Sequence, residues 1–186
     1  MFNLANVFRK AKPGEPWPLR FDSYSFDARC YNTLRCSIIF DRQQHSLHVA
    51  EPAGQPYAEN WKDGWTGGFG STEEFERRGF PSLIDIRWAA LDGVERELEI
   101  DLEEVFPGHV ILHNVPRDEV EEDWAINSRK RADILLEVNN CTVNIYTSAR
   151  VLTKLLRDRN DPDWKVSRDE LVLAWTRTYP EGSPHG

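Results

Sequence analysis

This chain of 186 residues is predicted to fold as a mainly β domain, an antiparallel β-sandwich with one or two short helices. Three observations carry that prediction. Residues 84–102 alternate apolar and polar side chains about Asp92-Gly93, the pattern of a half-buried antiparallel hairpin whose turn needs positive φ. A second hairpin candidate joins Ile134 to Val138 with Cys141 to Tyr146 through Asn139-Asn140, which tolerates left-handed backbone. Nine Phe, seven Trp and five Tyr supply enough large apolar surface to offset the entropy of ordering one core.

Taken in order, residues 1–18 read as an extended lead-in, since residues 11–18 hold three prolines and a glycine. A single β-rich domain is expected over 19–180, with a flexible tail at 181–186. Phe21 to Phe26 alternates as a strand, and the apolar Cys36 to Phe40 is a second. The polar Asp41 to His45 makes the turn from which Leu47 to Val49 returns. In the hairpin about Asp92-Gly93, alternation places Leu98, Ile100 and Leu102 on one face with Glu97, Glu99 and Asp101 on the other. Residues 117–130 are the best helix: Pro116 stands at the entrance, carboxylates crowd the start, and Arg129, Lys130 and Arg131 close it. Val151 to Arg157 fits a short helix, and Leu171 to Trp175 fits strand or helix equally.

Charge narrows the function. With 31 acidic and 23 basic side chains the net charge is −8, which argues against a generic nucleic-acid or anionic-membrane surface. No apolar run approaches the roughly 20 residues that a spanning helix needs. Residues 1–10 lack the pattern of a secretory signal, so a cytoplasmic protein is expected, or a periplasmic one if a leader has been removed. Cys30, Cys36 and Cys141 form no CxxC unit. A disulfide could close the short loop between the first two, but a reducing cytoplasm would leave them as buried structural thiols, which is the expectation.

Residues 92–123 carry twelve carboxylates against two arginines. They read either as a solvated strand face followed by an acidic helix start, or as a docking face for a basic partner, with Glu95, Glu97, Glu99 and Asp101 steering association. A glycosidase pair is disfavoured, because outward neighbours on a hairpin have nothing to split their pKa values. Between Trp61 and Ser71, aromatics interleave with glycines. Trp61, Trp65 and Phe69 either plug the end of a sandwich or act as anchors for a protein partner or a sugar. No Lys-Ser or Lys-Thr follows these glycines, so they are not a phosphate loop. His45 and His48 face opposite ways on a strand, while His109 and His113 would lie about 13 Å apart, so neither pair grips a metal. No Gly-x-Ser-x-Gly elbow is present.

Phe21-Asp22-Ser23-Tyr24-Ser25-Phe26-Asp27-Ala28-Arg29-Cys30-Tyr31-Asn32-Thr33, Cys36 to Phe40, Ile86-Arg87-Trp88 with Leu91-Asp92-Gly93, His113-Asn114-Val115-Pro116 and Leu136 to Tyr146 together resemble the immunity proteins encoded beside type VI secretion lipase effectors. The resemblance runs over about residues 19–153. It implies a noncatalytic protein without cofactor or metal, which binds a cognate phospholipase toxin and blocks or locks its substrate entrance. The alternative from the residues alone is a carbohydrate-binding β-sandwich module stacking sugars on Trp61 and Trp65.

Overall fold

The computed structural model describes residues 16–56, 75–76 and 83–185. Two sheets face one another across one apolar core. The first contains β1 (Ser23–Tyr31), β4 (Phe75–Glu76), β7 (Arg131–Asn139), β8 (Thr142–Ala149) and β11 (Val172–Thr178), in the spatial order β11-β8-β7-β1-β4. The second contains β2 (Thr33–Phe40), β3 (Gln43–His48), β5 (Leu83–Ala90) and β6 (Glu95–Asp101), ordered β3-β2-β5-β6. A separate two-stranded sheet joins β9 (Val151–Asp158) to β10 (Asp161–Arg168). Among the described residues every ladder is antiparallel except β1 with β7, which run parallel from Ser23↔Arg131 to Tyr31↔Asn139. The mainly β, sandwich-like fold is as expected.

Turn chemistry explains the hairpins. Asp41 and Arg42 both adopt positive φ, 48° and 62°, so a two-residue turn joins β2 to β3, and β3 starts at Gln43 rather than after His45. Gly93 has φ 78° in the loop between β5 and β6, closed by its N–H donating to the Ala90 carbonyl at 3.0 Å. Between β7 and β8 the ladder extends to Asn139↔Thr142, which leaves Asn140 (φ 52°) and Cys141 as the turn pair, one position later than expected. Asn32, also at positive φ, turns β1 into β2 while the chain changes sheets.

Alternation places Phe26, Ala28, Ile38, Phe40, Ile84, Ile86, Ile134, Leu136, Val143 and Ile145 in the shared core. Phe26 of the first sheet meets Phe40 of the second with ring centroids 4.1 Å apart. The same corner carries a disulfide between Cys30 on β1 and Cys36 on β2, which ties one sheet to the other. This corrects the expectation of two thiols: the turn at Asn32 brings the two Cα atoms to 6.5 Å, within disulfide reach. Cys141 is the free thiol.

The helix expected over 117–130 is also corrected. Arg117–Glu119 forms one 3-10 turn, Val120 and Glu121 are extended, and a short α-helix covers only Glu122–Asn127. Val120 breaks the helix because it is buried and bridges to Thr153, while the Glu121 N–H donates to the Leu152 carbonyl at 2.9 Å. The cationic run expected to close a helix instead opens β7 at Arg131. Val151 to Arg157, expected as a helix, is strand β9, and the undecided Leu171 to Trp175 contributes to strand β11. A one-turn helix, α1 (Leu102–Val105), follows β6. Trp17 packs on the core, and Gly182 beyond the expected domain end is hydrogen bonded to Asp92.

Candidate functional site

The β5–β6 hairpin has two faces. On β6 the side chains alternate strictly, so Glu95, Glu97 and Glu99 are exposed while Arg96, Leu98 and Ile100 are buried. The outer face is a ladder of charges. Arg35 of β2 pairs with Glu95, and Arg87 of β5 lies 3.8 Å from Glu97. Asp85 and Glu99 stand directly opposite one another, an arrangement that like charges disfavour. Register puts Ile39 beside Asp85 and brings Leu47 and Leu83 onto the same face, at 56% and 50% exposure. Asp101 behaves differently, since its carboxylate accepts from the Glu103 N–H at 2.9 Å and caps α1.

Of the acidic row expected to steer a partner, Glu95, Glu97 and Glu99 therefore share one exposed face. Two of them are paired with arginines. Trp61, Trp65 and Phe69 lie outside the described residues.

The inner face of the same hairpin holds a buried ion pair that sequence reasoning missed. Arg96, 1% exposed, donates to both Asp92 carboxylate oxygens, at 3.0 and 2.7 Å, and to the carbonyls of Val94 and Pro180 at 3.0 and 3.2 Å. Asp92 also accepts from the Val94 and Gly182 amides at 3.0 and 2.8 Å. The Arg96 guanidinium, aided by the Gly182 and Val94 amides, holds the Asp92 carboxyl well below the usual carboxylate range. Tyr179 stacks against the same guanidinium and meets Trp88 edge-on, and the Trp88 indole donates to the Asn140 carbonyl at 2.8 Å. The β5–β6 turn and the segment after β11 are thus held by one cation, and Trp88 beside it ties in the β7–β8 turn. Parity was the available signal: Arg96 shares its register with Leu98 and Ile100.

A second buried carboxyl, Glu137, is 2% exposed on the face of β7 opposite Leu136. It accepts from Asn144 Nδ2 at 2.9 Å and, more weakly, from the Tyr146 hydroxyl at 3.4 Å, while its Oε2 has no hydrogen-bond partner among the described residues. Nothing in the run Ile134 to Val138 distinguishes this glutamate from a solvated one.

An open cleft of about 380 Å3 lies between the first residues described and the base of β9, lined by Trp17, Arg117, Asp118, Val120, Glu122 and Lys154. Arg117 covers the Trp17 ring at 5.1 Å and Lys154 donates to the Asp118 carbonyl at 2.7 Å. One face of the Trp17 ring is thereby covered by a cation.

Three of the five histidines serve packing. His45 lies against Phe26 and Phe40, His109 stacks on Phe21 and bonds Glu103 at 2.7 Å, and burial lowers the pKa of His113, which packs against Trp17. Among the described residues, no three His, Cys, Asp or Glu side chains are grouped to hold a metal ion. No described helix is long and apolar enough to cross a membrane. Compared with known proteins, the chain matches no family model, no curated protein and no solved structure.

Proposed function

We propose that this protein is a noncatalytic immunity protein that binds a cognate bacterial lipase effector and closes its substrate entrance. The observation that carries a binding role is the outer face of the β5–β6 hairpin, where Asp85 and Glu99 oppose each other across the ladder. Opposed like charges cost the free protein stability, and a cationic partner group inserted between them would recover it. The pairing of Glu95 and Glu97 with Arg35 and Arg87 leaves Asp85 and Glu99 as the centre of the negative field. The lipase as partner rests on the sequence resemblance. A sandwich held by a disulfide and a buried ion pair suits the role, because a rigid face loses little entropy on binding.

The test is co-purification with the product of the adjacent gene, followed by a phospholipase assay of that product. A stable one-to-one complex that silences hydrolysis is expected. A folded neighbour that fails to bind, or binds and stays active, overturns the reading, and glycan binding in its place would favour the sugar module.

A further inference from the structure

The β9–β10 hairpin belongs to neither main sheet. Its base is anchored: Val151 and Thr153 are buried, Thr153 bridges to Val120, and Lys165 pairs with Glu121 at 3.0 Å. Beyond that base, residues 154–157 and 161–164 are exposed on both faces of the ribbon. Two-stranded ribbons are marginal in water unless they pack on something.

The two faces of this arm differ in chemistry. Arg157 lies over the Trp164 ring at 5.3 Å, so those two side chains share a face, and alternation adds Leu155 to it. Leu155 is 66% exposed and Trp164 50%. Asp158 and Asp161 pair across the ladder, and Asp158 adjoins Arg157, so these carboxylates fall on the opposite face. Both are engaged in the turn, accepting from the Asn160 and Asp163 amides at 2.9 and 3.0 Å. One side of the arm is therefore apolar and cationic, with Arg159 extending the charge into the turn.

The outer face of the β3-β2-β5-β6 sheet is its complement, with Ile39, Leu47 and Leu83 set among Asp85 and Glu99. We propose that the arm of one copy docks its Leu155–Arg157–Trp164 side onto that acidic, apolar sheet face of a second copy. Arg157 and Arg159 reach the opposed Asp85 and Glu99, and the leucine and tryptophan cover exposed apolar side chains of the sheet. Each copy carries both halves of the contact, so a two-fold pair in which each arm meets the other copy's sheet satisfies both at once, and that closed pair is the assembly proposed. No effector is required. Because the contact covers the face assigned to effector binding, self-association and effector binding compete.

Sedimentation velocity of the purified chain tests this over a concentration series, at about 0.02 M and about 0.5 M salt, where the screening length falls severalfold. Self-association at low salt is expected, weakening by about tenfold or more at high salt. Arg157→Glu with Arg159→Glu is expected to be monomeric, and so is Asp85→Lys with Glu99→Lys. Mixing the two reversed variants is expected to restore a complex of one copy of each. All four side chains are exposed, and circular dichroism melts verify folding. A wild type that stays monomeric throughout, association that ignores either reversal, or reversed variants that fail to pair with each other overturns the proposal.

Discussion

The inner and outer faces of β6 carry the same chemistry, an arginine against a carboxylate, with opposite consequences. Outside, Arg87 and Glu97 sit 3.8 Å apart with their side chains in water. Inside, Arg96 makes four hydrogen bonds with no competing solvent, and two of them go to Asp92. An exposed pair is screened and contributes little; a buried one is indispensable once the fold is built around it. One residue of register separates a steering charge from a structural clasp.

Removing the clasp is the most severe way to probe that difference. Arg96→Ala strands Asp92 together with the carbonyls of Val94 and Pro180, and urea denaturation is expected to record a loss of about 3–5 kcal/mol. The pH dependence follows from the depressed Asp92 carboxyl. Its contribution is fully present above the unfolded carboxylate value of about 4 and is lost as pH falls toward the lower folded value. Melts of wild type and Asp92→Asn should therefore be far apart at neutral pH and converge in acid. Equal separation at every pH would show that Asp92 acts through shape rather than charge.

The disulfide shares the inner side of the sandwich with the clasp and offers a covalent standard for it. Replacing Cys30 and Cys36 together with Ala removes a link across a sequence separation of 6 and should cost about 2 kcal/mol, with the wild type falling to the same level in reductant. If the double variant loses more than Arg96→Ala, the corner and not the clasp contributes more to holding the fold.

On the outer face the expected effects are small and partly reversed in sign. Glu99→Lys removes the opposition to Asp85 and should stabilise the free protein by about 0.2–1 kcal/mol while slowing association with a basic partner. Glu97→Ala should change stability by less than about 0.5 kcal/mol, because its arginine is exposed. A large loss from either would make the two faces equivalent.

Period-two alternation made the β5–β6 hairpin legible in the sequence, because β6 buries every second side chain; the β7–β8 hairpin was legible instead as two apolar runs joined by residues that accept positive φ. The helix expected at 117–130 failed at Val120, where a tertiary bridge to Thr153 outweighs a favourable charge order. Strand β9 was hidden for a similar reason: Leu152, Leu155 and Leu156 fit a helical stripe, and only pairing with β10 fixes the ribbon. The exposed glutamates of β6 were readable from parity. The opposition of Asp85 to Glu99 was not, since it depends on the register of two strands. The inward Arg96 was written in the same parity, but its charge suggested water.

The parallel seam between β1 and β7 sets an order of assembly. Its partners lie 108 positions apart, as in the bond from the Ser25 hydroxyl to Asp133, whereas β2, β3, β5 and β6 all fall within residues 33–101. Contacts between distant positions slow folding, and a chain emerging from the ribosome completes the second sheet's strands before the first sheet's. β1, carrying Tyr24 and Phe26 into the core, must wait for the arrival of β7 and β8. Nascent chains stopped before residue 131 should thus present to chaperones a sticky strand whose β7 edge is unpaired and whose other edge meets only the two residues of β4, while those released after β8 should not.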